Sequence, residues 1–284
     1  MQFNQQSSFW KRVLCGMGFM CFIALATSCE DVVEVNVPTD APRLVIDASI
    51  KWAKGSTGET QHVYLSKTGS FYSNDVPKVS GAVVQVADTQ NHVFSFAEDG
   101  NHPGDYVCTQ FQPVVGMTYT LTVVVEGQTY QASEALAEVP SIDSVEQRND
   151  AGPLGKDFGL KFFYQDIPDQ ANYYLYQFDT PTQVKVIYDV NDDRFFANNQ
   201  MFGIYFDDQL KIGDTVTFTL HGISKRYSEY MNKLLSIAGS NGGSPFQTAP
   251  ATVRGNLVNT TNPDNYALGY FRLSQTDTRA YTLQ

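Results

Sequence analysis

Basic residues and cysteines are scarce in this chain. Against 30 Asp and Glu there are 19 Lys and Arg among 284 residues, which gives a formal net charge of −11. Nucleic-acid backbones need a basic footprint on the protein, so this balance argues against a nucleic-acid partner. Of the four cysteines, Cys108 is the sole one beyond residue 29. A disulfide between two later residues is therefore excluded, and Cys108 is predicted to be a small buried hydrophobe in a strand.

Recognisable catalytic and metal-binding motifs are also missing. The four histidines show no metal-ligand spacing, and the chain contains no HExxH, paired CxxC or GxSxG pattern. Acids are plentiful, but acid–base chemistry needs two carboxylates placed across a substrate, which one sequence does not reveal. The prediction is a protein that is not an enzyme and that carries neither cofactor nor metal.

The acidic turn at residues 189–193 suggests calcium as an alternative. It places oxygen ligands at positions 1, 3 and 5 of a calcium loop, but an EF-hand then needs Gly at position 6 and Glu at position 12. This chain has Arg and Gln there, so the EF-hand interpretation fails. A looser site with Asp207 and Asp208 stays open beside a solvated acidic turn, which is the interpretation adopted.

Long apolar runs are missing after residue 28, but a short one lies before it. Two basic residues precede an apolar stretch at residues 13–25, and three small residues then lead to Cys29. The stretch is shorter than the roughly 20 residues that a transmembrane helix needs. Its order of basic, apolar and small residues is that of a secretion signal, so residues 1–28 are predicted to be a signal peptide.

The junction at Cys29 resembles the bacterial lipobox, in which the cysteine is acylated and becomes the first mature residue. It departs from that pattern at Ala26, where Leu is usual. An ordinary cleaved signal peptide with an incidental Cys29 is the alternative, and lipidation of Cys29 is the interpretation adopted. Each buried acyl CH₂ contributes about 0.8 kcal/mol, so two or more chains anchor a protein stably. The mature chain is expected to be anchored to a membrane without spanning it.

Acidic residues follow the cysteine directly. Glu30, Asp31 and Glu34 resemble the signal by which Bacteroidota send lipoproteins to the cell surface, and residues 29–40 form an acidic tether in this interpretation. A solvated tether without an export role is the alternative. The expected localisation is the outer membrane, lipid-anchored and facing the extracellular side.

Alternation of apolar and polar residues predicts a mainly β fold. The clearest run is Tyr119–Val125, which has the period of a strand with one buried face. Glu126 and Gly127 follow as a two-residue hairpin turn, with Gly supplying the positive φ that such turns need.

Two β regions follow the tether. Strand-like runs separated by turn residues predict an immunoglobulin-like β-sandwich over residues 41–138. A second β-rich domain is predicted over residues 139–284. It carries one amphipathic helix near residues 227–238, where apolar residues recur at helical spacing and Gly239 follows as a C-terminal cap.

Aromatic residues of the second region are the candidate contacts for a ligand or partner. Tyr174 and Tyr176 lie in a run whose two faces would both be apolar, so that one face is core and the other an interface. Phe195 and Phe196 lie in a polar loop at residues 191–201 and are expected to be exposed. The alternative is that these aromatics fill a β-sheet core, since aromatics also favour strands.

Two short stretches resemble the acidic, hydroxyl and aliphatic acceptor that Bacteroidota use for O-glycosylation. They place Ser144 after Asp143 and Thr215 after Asp214. Because motifs this short also arise by chance, modification of Ser144 and Thr215 is a hypothesis, which intact-mass measurement of the native protein tests.

Nine segments in a fixed order carry a resemblance to a known family. They are Cys29-Glu-Asp-Val-Val-Glu-Val, Pro42-Arg-Leu-Val-Ile-Asp, Val79-Ser-Gly-Ala-Val-Val, Gly104-Asp-Tyr, Gly116-Met-Thr-Tyr-Thr-Leu-Thr-Val, Pro140-Ser-Ile-Asp-Ser-Val, Ser244-Pro-Phe, Arg254-Gly-Asn-Leu and Leu268-Gly-Tyr-Phe. Together they are similar to an uncharacterised family of Bacteroidota outer-membrane lipoproteins, domain-of-unknown-function family four-two-four-nine. The resemblance covers nearly the whole mature chain.

Members of that family are typically encoded beside TonB-dependent receptors. The resemblance therefore implies a surface-exposed accessory or ligand-capturing subunit of such a receptor, with a glycan or a peptide as candidate ligand. The family supplies no catalytic or binding residues that could be carried over. The alternative is a stand-alone surface lipoprotein that binds a glycan or another ligand.

Replacement Cys29→Ala is expected to move the protein from the membrane fraction to the soluble fraction, because the acyl chains are the sole membrane attachment predicted. The measurement is immunoblotting of separated fractions. Cys108→Ala is the matched control and should leave the protein membrane-bound. Persistence of the Cys29→Ala protein in membranes contradicts the lipoprotein interpretation.

Overall fold

The computed structural model describes residues 41–69, 76–239 and 253–284. Fifteen β-strands and one α-helix follow one another within these ranges. The predicted signal peptide and tether, with Cys29, Glu30, Asp31 and Glu34, lie outside the described residues.

The elements are numbered in chain order. The strands are β1 (Leu44–Ala53), β2 (Gln61–Lys67), β3 (Val83–Asp88), β4 (Val93–Glu98), β5 (Asp105–Cys108), β6 (Thr118–Val125), β7 (Gln128–Ala135), β8 (Ile142–Ala151), β9 (Asp157–Gln165), β10 (Tyr173–Asp179), β11 (Ile187–Asp192), β12 (Gln200–Asp207), β13 (Thr215–Ile223), β14 (Val258–Asn259) and β15 (Leu268–Thr282). The helix α1 (Lys225–Gly239) lies between β13 and β14.

Twelve strands form one curled sheet, in the order β11-β10-β13-β15-β1-β2-β5-β4-β3-β6-β7-β14. The remaining three form a second sheet in the order β12-β9-β8. In the described part of the chain, β1 and β15 are the one strand pair that runs parallel. The other ladders, such as β1 with β2 and β13 with β15, are antiparallel.

The pairing of β1 with β15 joins the two ends of the described fold. It extends from Val45 opposite Leu268 to Ala53 opposite Thr276. Gly269 permits the close approach of the two strands. Its φ is +96°, and a Cβ placed there would lie 2.0 Å from the carbonyl oxygen of Ile46.

The first hydrophobic core lies inside the curl of the large sheet. β1 points every second residue into it, beginning at Leu44, and β2 to β7 contribute in the same way. Leu257, Phe271 and Leu273 join this core from the other end of the chain. Residues near the C-terminus therefore complete the sandwich formed by the N-terminal strands. The predicted division at residue 138 stays a prediction.

The second core lies between the three-stranded sheet and β10 and β13. Phe162 of β9 faces Phe178 and Phe218, whose ring centroids are 4.9 Å apart. The opposite face of β10 is covered by α1, where Leu175 packs with Met231. Both faces of β10 are thus buried, which explains why its sequence is apolar on both.

Helix α1 begins at a polar cap. The Oγ of Ser224 accepts the backbone N–H of Tyr227 at 3.1 Å, which satisfies one of the free donors of the first turn. The predicted mainly β class with a single amphipathic helix is confirmed for the described residues. No helix there is long and apolar enough to span a bilayer.

Local predictions in the first region are also confirmed. Tyr119–Val125 lies in β6 and buries alternate residues, as its pattern indicated. Glu126 and Gly127 both have positive φ, at 51° and 71°, as a two-residue hairpin turn between β6 and β7 requires. Cys108 is a buried free thiol at the end of β5.

Replacement Gly269→Ala is expected to lower the free energy of unfolding by about 3 kcal/mol or more, because the new methyl group meets the Ile46 carbonyl and φ is positive. Chemical denaturation of the purified protein measures this. Gly116→Ala is the control, since Gly116 has a φ of +77° and open space around it. The control should lose only about 1 kcal/mol. Equal losses in the two variants contradict the close-approach argument.

Candidate functional site

Phe195 and Phe196 are exposed, as expected, in the turn between β11 and β12. Their exposed fractions are 87% and 46%. Phe196 lines a small pocket of about 140 Å³ together with Phe202 and Ile204. Phe206 follows on the same exposed face of β12. Phe196, Phe202, Ile204 and Phe206 are called the apolar patch below.

The apolar patch lies on an edge strand. Among the described strands, β12 pairs with β9 alone and is an edge strand of the three-stranded sheet. Phe163 contacts Phe202 with ring centroids 5.7 Å apart, and the Nζ of Lys161 lies 4.7 Å from the Phe202 ring centroid. These neighbours hold Phe202 in place while part of its surface stays exposed.

Tyr174 and Tyr176 are core residues, which corrects the expectation that they contact a partner. Their exposed fractions are 0% and 2%, because the three-stranded sheet covers this face of β10. The Tyr174 hydroxyl donates to Asp166 at 2.9 Å, and the Tyr176 and Tyr164 hydroxyls are 2.6 Å apart. Tyr176 forms only the floor of the small pocket beneath Phe196.

Buried carboxylates hold the 191–201 loop. Asp193 accepts the backbone N–H of Asn172 at 2.8 Å, and Asp166 accepts that of Asn198 at 3.0 Å. Asp192 instead pairs with Arg194 at 2.8 Å. The acids of the turn thus serve local hydrogen bonds and an ion pair. Across the described ranges no three His, Cys, Asp or Glu side chains are placed to hold a metal ion.

Both candidate O-glycosylation residues are exposed. Ser144 lies on β8, and Thr215 begins β13. The hydroxyls of Thr215 and Thr282 are 2.9 Å apart. Modification of Ser144 and Thr215 stays a prediction.

A cleft of about 580 Å³, called the tyrosine cleft below, opens on the outer face of β1, β2 and β15 beside α1. Its walls are mainly aromatic, with Tyr64, Tyr188, Tyr227, Tyr230 and Tyr270. Its polar lining consists of Asp47, Ser49, Lys51, Thr60, Gln61, His62 and Arg272. Sequence reasoning assigned none of these residues to a functional site.

Strand β1 supplies the polar floor because its side chains alternate. The apolar residues enter the first core, so Asp47, Ser49 and Lys51 point to the outer face. The backbone pairing of β1 with β2 ends at Asp47. Beyond that point the buried side chain of Gln61 forms hydrogen bonds with the β1 backbone instead. Its amide accepts the backbone N–H of Lys51 at 3.1 Å and donates to the Lys51 carbonyl at 3.0 Å. This exchange fixes the backbone that carries the lysine.

Strand β15 places Arg272 directly opposite Ser49. Arg272 is only 5% exposed. Its Nε donates to the Ser49 hydroxyl at 3.3 Å and its Nη1 to that of Ser274 at 2.9 Å. The Tyr227 ring lies 5.1 Å from the guanidinium carbon, within cation–π range.

Helix α1 forms the aromatic wall. Tyr227 and Tyr230 each lie 4.8 Å from Tyr270, measured between ring centroids. The Tyr270 hydroxyl donates to Glu134 at 3.2 Å. Burial raises the pKa of Glu134 and also that of the Tyr270 phenol. The aromatic wall is therefore held in place by contacts within the protein, without any ligand.

The electrostatics of the cleft are dominated by two cations. Burial lowers the pKa of Lys51, and the neighbouring Arg272 lowers it further, while Asp47 opposes the shift. Behind them, burial holds the pKa of His221 well below its ordinary value, and both cations add to that effect. His221 meets Gln177 through Nε2 at 3.0 Å, and its buried Nδ1 has no partner among the described residues.

Sequence reasoning missed the tyrosine cleft because its lining comes from six separate segments. No linear motif joins Asp47 with Tyr230 or Arg272. Tyr227 and Tyr230 fitted a core-facing helix pattern, so nothing marked them as cleft residues. The available signal was Arg272, a charged residue in the middle of an otherwise strand-like run at residues 268–273.

Comparisons with known proteins identify a family. Residues 30–280 match the family model described as Domain of unknown function (DUF4249). No protein of curated function matches this chain.

Solved structures that match include three chains of low identity. A two-domain fibronectin type III segment from chicken tenascin is 10% identical, with 64% of this chain and 91% of that chain covered and a TM-score of 0.21. A cytokine receptor complex is 8% identical, with coverages of 63% and 82% and a TM-score of 0.25. A DUF4785 family protein from Legionella pneumophila is 11% identical, with coverages of 63% and 51% and a TM-score of 0.25.

Stability is expected to fall as the pH drops below about 6.5, in part through His221. The pKa of His221 is lowered in the folded protein. Above about pH 6.5 the imidazole is neutral in both the folded and the unfolded chain, so it does not affect stability. Below that pH the unfolded chain binds a proton that the folded chain does not bind, so stability falls. Between pH 7 and pH 5.5 this group accounts for about 1 kcal/mol.

The variant His221→Gln should therefore lose less stability over that interval than the unmodified protein, as measured by urea denaturation at each pH. The exposed His92→Gln is the matched control. An unchanged pH dependence in His221→Gln contradicts the assignment of a neutral buried imidazole.

Proposed function

This chain belongs to the family Domain of unknown function (DUF4249), and on that premise we propose that it is a lipid-anchored outer-membrane protein that captures a ligand for a TonB-dependent receptor. The observation that carries ligand capture is the tyrosine cleft. Its volume of about 580 Å³ lies in the range of roughly 300–1,000 Å³ that small-molecule sites occupy. Its mainly aromatic walls with a few placed polar groups are also typical of such sites.

Binding without conversion is the chemistry that the cleft supports. Asp47 is the one carboxylate in the lining, as far as the described residues go, whereas hydrolysis of a glycosidic bond uses a pair. The free thiol of Cys108 is buried in the first core and does not line the cleft. The proposed role is accordingly that of a binding protein rather than an enzyme.

The apolar patch supports the receptor as the partner. Its four side chains are between 37% and 46% exposed, and Phe195 beside it is more exposed still. Contiguous exposed apolar surface marks interaction sites, and aromatic anchors dominate binding energy at interfaces. A lipid anchor in the same membrane would raise the effective concentration of the receptor, so a modest patch suffices.

A stand-alone surface glycan-binding lipoprotein is the second candidate. The tyrosine cleft favours it equally, because flat rings with hydroxyl groups can pack against a sugar and bond to it at the same time. The two candidates differ in whether a partner is required, and the apolar patch is the observation that favours the accessory role.

The native lipid-anchored protein, solubilised in mild detergent from its own membranes, is expected to co-purify with a large β-barrel receptor. The double replacement Phe202→Ser with Phe206→Ser should lower recovery of the receptor by about tenfold or more, because losing an aromatic anchor costs about 2 kcal/mol. Quantitative mass spectrometry of the purified material measures the recovery.

The matched control is Val83→Ser with Val258→Ser, which removes similarly exposed apolar side chains from other strands. It should leave recovery of the receptor unchanged. Recovery of the unmodified protein without any barrel protein contradicts the accessory role and leaves the stand-alone candidate.

A further inference from the structure

Arg272 is a buried cation that forms no ion pair with any described residue. It is 5% exposed, and no described carboxylate lies within 4.0 Å of its guanidinium. Two of its five N–H groups meet the neutral hydroxyls of Ser49 and Ser274. Burial of a charge is costly unless the charge is paired, so this arrangement favours a counter-charge from beyond the described residues, such as a bound anion.

A second cation faces the same space. Lys51 lies on β1, opposite Ser274 and one diagonal step from Arg272 on the same face of the sheet. Both side chains line the tyrosine cleft from adjacent strands, and the positive charge of Arg272 contributes to the lowered pKa of Lys51. Neither forms an ion pair with a described residue within 4.0 Å.

The remaining charged groups of the lining do not neutralise this pair. Asp47 accepts the hydroxyl of Ser49 at 2.8 Å and opposes only part of the two positive charges. His62 is held at the mouth, with its Nδ1 2.9 Å from Asp105. Arg272, Lys51 and the single carboxylate of the lining, Asp47, together leave about one positive charge, which matches one monoanionic group.

The shape of the donors selects the kind of anion. A guanidinium presents parallel N–H groups that match the two oxygens of a carboxylate. The tyrosine rings lie in the same cleft as this guanidinium. Tyr64 is half exposed at the mouth of the cleft, and Tyr230 is partly buried on α1. Ser49, Thr60 and the phenol groups add hydroxyls that suit a polyhydroxylated ring.

We propose that the tyrosine cleft binds a sugar ring that carries one carboxylate, with the carboxylate on Arg272 and Lys51 and the ring between Tyr64 and Tyr230. This inference rests on ligand capture in the cleft, which is part of the proposed function, and it adds the class of ligand. The pair of serine hydroxyls fixes the guanidinium before the ligand arrives, so little ordering is needed on binding.

The test uses the lipidated protein in non-ionic detergent and saturation-transfer NMR with calorimetry. The probes are methyl glucuronide, methyl galacturonide and N-acetylneuraminate, each beside its uncharged methyl ester. At least one acid is expected to bind about tenfold or more tightly than its ester, because the ester removes the charge and the paired hydrogen bonds. Inorganic phosphate is the competitor.

Arg272→Gln should abolish the preference for the acid over the ester, and Arg279→Gln, an exposed arginine of the same strand, should preserve it. If Arg272→Gln lacks a cooperative thermal transition and so does not fold, the variant Lys51→Gln is used to test the carboxylate assignment. The exposed Lys156→Gln is then the control. Lys51→Gln should then weaken acid binding several-fold and leave ester binding unchanged.

Equal binding of acid and ester, or an acid preference that survives the cleft variants, overturns the carboxylate assignment while ligand capture in the cleft stands. Displacement of every acid by low millimolar phosphate also overturns it, in favour of a general oxyanion site. Binding of no probe overturns the acidic-sugar class. The receptor role is judged separately, by co-purification, so its failure is distinguishable from these outcomes.

Discussion

The parallel pairing of β1 with β15 is the constraint on which the rest of the structure depends. It places the first and last strands of the described fold side by side, with Ser49 and Arg272 in contact although they are 223 residues apart. One face of this pair completes the first core, and the other is the floor of the tyrosine cleft. Because side chains alternate along a strand, the same residues that build the sandwich also fix where the polar groups of the cleft point.

Local patterns could be predicted from the sequence, and distant pairings could not. The strand at Tyr119–Val125 and the helix near residues 227–238 depend on neighbours in the chain, so periodicity revealed them. The partner of β1 is set by packing across the fold, and nothing near residue 45 indicates Leu268. The parallel ladder is thus visible only in the folded chain.

For the candidate site, the sequence predicted some contact residues correctly and others incorrectly, because contacts between distant segments decide which residues are buried. Exposure of Phe195 and Phe196 follows from their polar neighbours in the loop, and this was foreseen. Tyr174 and Tyr176 were expected to be contact residues because their run is apolar on both faces, but the three-stranded sheet covers the face on which they lie. Arg272 shows the opposite case, since a charged residue in a strand is usually exposed, and only the three-dimensional contacts place it in a buried site. Burial, and not residue type, separates contact residues from core.

The return of Leu257, Phe271 and Leu273 to the first core has a consequence for how the protein is made. A chain that emerges N-terminus first, from a ribosome or from a translocation channel, exposes β1 through β7 long before β15 is present. Contacts between distant segments form slowly, because the intervening loop must close first. The first core is therefore expected to be completed only after β15 has been made, because Leu257, Phe271 and Leu273 are part of it.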